Sequence, residues 1–237
     1  MEFNGVDLST YGLIVTRQNT SDAEQSVSLV QLPDVAYSFG ATKVARQISL
    51  EIAVVGTDRN DLLSKLDNIK LALNERKAKE LYINTDRYYM AQFVNLQGNM
   101  VAPNAFMGNL DFICPDPLAY SATLTSPTFT ITGTQIVDVI TGGTAHIKPR
   151  FTLTASEDVS SVKIENLNLE EALAWTGSLV SGDILTVDVA NWVVKKNGTE
   201  SMSITGQFPR LNPASTNHIE ITGFKGTFKV EYRNVYI

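Results

Sequence analysis

The sequence predicts an α+β domain (a β-sheet with one helix) followed by an all-β sandwich or jelly roll. Three observations carry that prediction. Residues 43–55 alternate apolar with polar, the period of a half-buried strand. Residues 59–76 change to helical spacing. From residue 128 onward, short alternating segments are separated by Gly, Asn-Gly and Pro breaks.

In the 43–55 strand, Val44, Ile48, Leu50, Ile52 and Val54 share one face, which Arg46 interrupts, while Gln47, Ser49 and Glu51 share the other. The helix sets Leu62, Leu66, Ile69 and Leu73 in one stripe, with Leu63 beside it. Thr57 or Asp58 is placed to cap its N-terminus, where a short side-chain oxygen accepts from the free N–H groups of the first turn. Asp61 adds negative charge there. Arg76, Lys77 and Lys79 lie towards the other end, where cations complement the helix dipole; a solvated helix end accounts for this basic run better than an anion site. Further strands are expected at 81–83, 88–94 and 110–114. Pro115-Asp116-Pro117 breaks the ladder. The Ser-, Thr- and Pro-rich stretch up to Pro127 then reads as a boundary, dividing the chain into residues 1–120 and 121–237.

In the second part, Phe151, Leu153 and Ala155 alternate with threonines. Leu185, Val187 and Val189 alternate with Thr186 and Asp188, and Phe228, Val230 and Tyr232 with charged residues. Asn197-Gly198 is the sharpest local signal. Both residues tolerate positive φ, so the pair predicts a type I′ turn joining 192–196 to 199–204.

The composition, 43% hydrophobic and 19% charged over 237 residues, supplies ample core. Nineteen basic against 25 acidic residues give a net charge of −6, which argues against wrapping nucleic acid or coating an anionic membrane. The single cysteine, Cys114, permits no internal disulfide. It shares a strand face with Leu110 and Phe112 and reads as a buried, inert thiol. Residues 1–5 lack the basic-then-apolar order of a signal peptide, and no run of about 18 apolar residues offers a membrane anchor.

Catalytic, cofactor and metal sites are all expected to be absent. His146 and His218 have no second His or Cys at ligand spacing. No G-x-S-x-G elbow or phosphate-binding Gly-rich loop is present, and Gly223 and Gly226 lie in a β-rich stretch. The acidic pairs Glu157-Asp158 and Glu170-Glu171 are adjacent, so on a strand each pair would split between faces; they read as solvated turns and edges. Asn19-Thr20-Ser21 and Asn197-Gly198-Thr199 match the glycosylation sequon by chance. Trp175 and Trp192 are the candidate glycan-stacking residues, with core packing as the competing reading.

A series of short motifs carries further information. Phe3-Asn4-Gly5-Val6-Asp7-Leu8 is followed by Tyr11-Gly12. Arg46-Gln47-Ile48-Ser49-Leu50 leads into the helix, and 111–120 reads DFICPDPLAY. Later come 182–188, Val194, Asn197-Gly198, the stretch 206–213 (GQFPRLNP), Asn217 and Val230-Glu231-Tyr232-Arg233. In order and spacing this series resembles the distal tail (Dit) proteins of long-tailed phages. One departure is Ala214, where glycine would be expected. The resemblance implies a strand-and-helix belt domain closing into a homohexameric ring, with a galectin-like jelly-roll sandwich outside it. It implies a virion protein at the distal end of the tail, structural rather than enzymatic. The ring would join the tail tube to the tail-tip hub, work beside the tape measure protein, carry receptor-binding or baseplate proteins, and pass DNA through its lumen. The alternative is a carbohydrate-binding receptor-recognition module using Trp175 or Trp192. For the ring, strands 43–55 and 81–94 are expected to offer the pairing edges, and the inner wall is expected to be neutral or acidic.

Overall fold

The computed structural model describes residues 1–21, 25–31 and 36–237, with backbone alone for 25–31 and 36–43. The chain forms two compact units, Met1–Tyr120 with Ile237, and Ser121–Tyr236.

The first unit runs β1 (Glu2–Phe3), β2 (Val6–Asp7), a 3-10 turn (Leu8–Tyr11), β3 (Leu13–Thr20), β4 (Gln25–Gln31), β5 (Ala36–Lys43) and β6 (Arg46–Val55). Then come α1 (Arg59–Leu73), β7 (Lys79–Tyr82), β8 (Arg87–Ala102), β9 (Ala105–Cys114) and β10 (Ala119–Ser121). The main sheet has the order β2-β1-β7-β8-β9-β6-β3, and each neighbouring pair is antiparallel. β4 and β5 pair as a separate two-stranded sheet, so Lys43 ends β5 and the predicted long strand starts at Arg46.

α1 forms where its stripe requires. Of the two predicted caps Asp58 is the one used: its carboxylate accepts from Asp61 N at 2.9 Å, while the Asp61 carboxylate accepts from Thr57 N at 2.7 Å. Leu62, Leu66, Ile69 and Leu73 join one core with Ile48, Leu50, Ile52 and Val54 of β6 and Leu110 and Phe112 of β9. The helix stops at Leu73, so Arg76, Lys77 and Lys79 lie beyond it and Lys70 alone supplies positive charge to its last turn.

β8 and β9 are far longer than alternation indicated. They continue through polar residues to a turn at Pro103-Asn104, with Gly98 opposite Gly108. A Cβ on Gly98 would lie 2.3 Å from Met107 O, and one on Gly108 2.1 Å from Gln97 O; the Phe106 ring lies over both glycines. The strands therefore approach too closely for any side chain here.

The second unit contains β11 (Thr128–Ile131), β12 (Gln135–Ile140), β13 (Arg150–Ala155), β14 (Val159–Asn166), β15 (Glu171–Leu179) and β16 (Ile184–Asp188). It continues with β17 (Val193–Lys196), β18 (Thr199–Glu200), β19 (Ile204–Gly206), β20 (Thr216–Thr222), β21 (Gly226–Glu231) and β22 (Val235–Tyr236). Two sheets, β11-β21-β13-β16-β17-β18 and β12-β20-β14-β15-β19, make the all-β sandwich. Phe151, Leu153, Leu185, Val187, Phe228 and Val230 are buried from one sheet, and Val162, Ile164, Leu173, Trp175, Ile219 and Ile221 from the other. Asn197 and Gly198 sit at φ 49° and 83°, with Lys196 opposite Thr199, which is the predicted two-residue I′ turn. The returning strand does not extend to 204. It ends at Glu200, and Ile204–Gly206 instead pairs with β15 in the other sheet.

The Ser/Thr-rich stretch after Tyr120 is not a loose tether. Thr125 bridges to Tyr232, and Arg233 Nη1 donates to Ser121 O at 2.9 Å and also to Ala122 O.

Candidate functional site

Two side chains that chemistry would need, Cys114 and Glu171, are committed to the fold. Among the described residues no group of three His, Cys, Asp or Glu could hold a metal ion. Cys114 is fully buried; desolvation pushes its thiol up to about 11 against the pull of Arg46, so no thiolate nucleophile is present at neutral pH. His218 Nδ1 lies 2.8 Å from Asp138 Oδ1 on an open strand surface.

Glu171 corrects the sequence reading. It is 8% exposed, not a solvated edge residue, and its carboxylate accepts from Arg210 N at 2.8 Å and Arg210 Nε at 2.9 Å. Burial alone would raise its pKa, but the Arg210 hydrogen bonds outweigh that and hold it below the ordinary carboxylate value. Beside it Asn166 Nδ2 donates to Asn217 Oδ1 at 3.1 Å, which also accepts from Asn212 N at 2.7 Å. The 206–217 motif thus locks one loop in place through Arg210, Asn212 and Asn217. Ala214 stands at φ 46°, so the turn keeps the left-handed conformation that suits glycine.

The two tryptophans separate. Trp175 is 3% exposed and its indole N–H donates to Ser201 Oγ at 2.9 Å, so it offers no stacking face. Its two-residue spacing from the buried Leu173 was the available signal. Trp192 is 62% exposed.

The feature that sequence reading missed is the face of the first sheet opposite α1. Directly paired residues share a face. The register therefore builds three rows across β3, β6, β9 and β8: Asn19-Ser49-Asp111-Asn95, Arg17-Glu51-Asn109-Gln97 and Ile14-Ala53-Met107-Asn99. The single cation in these rows, Arg17, is 3.6 Å from Glu51. Ser49 Oγ donates to Asp111 Oδ1 at 2.6 Å. Arg59, Lys65 and Lys70 belong to α1, on the other side of the sheet. One face is thus amide-rich with little net charge, bordered by an apolar row in which Ile14 and Met107 are 56% and 51% exposed.

Comparison with known proteins follows the same lines. Residues 142–236 match the model of the siphovirus-type tail component, C-terminal domain. By sequence, no curated protein matches the chain. In structure it is similar to the Dit protein of phage SPP1, described as a paradigm of the hub adsorption apparatus in phages infecting Gram-positive hosts. The TM-score is 0.82 at 16% identity, covering 99% of this chain and 98% of that one. A chain of the phage P2 baseplate in its activated conformation aligns over 97% of this chain and 92% of its own at 10% identity, with a TM-score of 0.49. Residues 142–236 are therefore similar to the siphovirus-type tail component C-terminal domain, and 99% of the chain shares the fold of the SPP1 Dit protein.

Proposed function

We propose that the chain is a structural, non-enzymatic component of a phage tail tip, a distal tail protein that forms a homohexameric ring between the tail tube and the tail-tip hub. The observation that carries this reading is the coincidence of the Dit fold over 99% of the chain with the tail-component domain at residues 142–236. The ring works beside the tape measure protein, carries receptor-binding or baseplate proteins, and lets DNA through. Residues 1–120 form the ring domain and 121–237 the sandwich domain.

The expected pairing edges need revision. β6 is hydrogen-bonded on both sides, by β3 and β9, and offers no edge. Among the described residues, and apart from the two-residue β2, the unpaired edges belong to β3 and to the distal part of β8, past the reach of the four-residue β7 and three-residue β10. These two edges lie on opposite sides of one sheet, which favours head-to-tail pairing and ring closure. The amide-rich face suits the lumen wall, because phosphate adhesion is driven by Lys and Arg, which are scarce there. Electron microscopy of the assembled particle tests the reading. Contacts around the axis are expected from residues 1–117; contacts mainly from 128–237, or a lumen lined by Lys and Arg, would overturn it.

A further inference from the structure

The chain holds two Asn-Gly pairs, Asn4-Gly5 and Asn197-Gly198. Both close two-residue turns, with Phe3 opposite Val6 in one and Lys196 opposite Thr199 in the other. Their backbones match: φ is 51° and 78° in the first pair, 49° and 83° in the second, as a type I′ turn requires. All four residues are exposed.

Asn-Gly is the dipeptide most prone to spontaneous deamidation, because glycine leaves its backbone nitrogen open to approach. The glycine nitrogen attacks the asparagine Cγ, the Cγ–Nδ2 bond breaks, and ammonia leaves with the proton from the glycine amide. Water then opens the cyclic imide at either carbonyl, giving aspartate or isoaspartate. Water is the one co-reactant, and nothing is oxidised or reduced. The attack requires the side-chain amide to swing onto the next nitrogen, so each hydrogen bond holding it elsewhere adds to the barrier.

The two asparagines differ in that restraint. Asn197 is held at both ends: Oδ1 accepts from Ile184 N at 2.8 Å and Nδ2 donates to Asp183 Oδ1 at 2.7 Å. Asp183 is itself fixed, accepting from Val180 N at 3.0 Å and lying 3.1 Å from Lys196 Nζ. Asn4 is held at one end, Nδ2 donating to Glu75 Oε1 at 3.0 Å, while its Oδ1 has no donor among the described residues. Glu75 is more loosely anchored, with Lys79 Nζ 3.9 Å away.

We propose that Asn4 is a site of spontaneous deamidation in the folded chain, and that the fold protects Asn197. The dipeptide ranks the two equally; the side-chain bonds separate them. The product sets a carboxylate against Glu75 where an amide donated to it, so an attractive contact in the first unit becomes a like-charge one.

The test incubates the full chain at mildly alkaline pH, natively and in urea, and follows each asparagine by peptide mapping with mass spectrometry. In the folded chain Asn4 should convert roughly fivefold faster than Asn197, the effect of one additional hydrogen bond on the barrier. In urea the two rates should converge. Asp183→Ala should accelerate conversion at Asn197 alone, and Glu75→Ala at Asn4 alone. Equal rates in the folded chain, faster conversion at Asn197, or a preference for Asn4 that persists in urea overturns the proposal. The comparison of native and denatured parent chain decides the matter even if a variant fails to fold.

Discussion

Ala214 is strained where the motif favours glycine, and its φ of 46° makes the direction of a substitution predictable. Ala214→Gly should raise stability by about 0.5–1 kcal/mol, the relief of left-handed strain exceeding the added freedom of the unfolded chain; a rise in urea midpoint with unchanged slope checks this. Arg210→Ala should cost roughly 2–3 kcal/mol, because it strips charge-assisted hydrogen bonds from a carboxylate that is 8% exposed. Acid should act through the same residues. The Glu171 carboxyl is held below its ordinary value, and that of Asp183 falls to about 2 under hydrogen bonds from Asn197, Val180 N and Lys196. Lowered carboxyl values mean stability present above the ordinary range and lost as pH falls through the folded values, here from about 4.5 down to about 2. Acid titration of Tm should show this loss, with a shallower slope in Arg210→Ala. At this scale the sequence was partly legible. Asn197-Gly198 announced its turn because both residues suit positive φ, whereas Glu171 looked solvated because its partner Arg210 is 39 positions away.

Elements were legible where burial wrote a period into them. β6 and α1 each present one buried face, so spacing revealed both. β3 and the distal half of β8 are exposed along much of their length, and polar residues on both sides leave no alternation to read. The same exposure makes them the elements to perturb. Ile14→Lys should leave unfolding within about 0.5 kcal/mol of the parent, since Ile14 is 56% exposed, while abolishing the proposed ring formation. Sedimentation velocity at high concentration reads the outcome, and rings of normal size would remove β3 from the interface. Gly108→Ala should instead destabilise the first unit by about 1–3 kcal/mol, because the new methyl would sit 2.1 Å from Gln97 O and the paired strands would have to part.

For the whole molecule, the division into Met1–Tyr120 and Ser121–Tyr236 predicts that a fragment spanning 121–237 folds alone with a cooperative transition of its own. Dispersed amide resonances from that fragment would establish this, and a collapsed spectrum would show that the units are thermodynamically one. The prolines at 115 and 117 marked the boundary in sequence, but the binding of residues 121–125 by Tyr232 and Arg233 did not show, because more than 100 residues separate the partners. The opposed free edges of the first sheet have a kinetic consequence. A head-to-tail contact is directional, so two copies joined through it still expose one unsatisfied β3 and one unsatisfied β8. In the proposed ring, every open oligomer would therefore keep growing until its ends meet, and partial arcs would gain none of the extra stability of closure. Monomers and complete rings should dominate with little between them. A surface that pre-arranges several copies, as the end of a finished tube would, lowers the entropic barrier to the first closed circle and makes the timing of assembly a property of the template.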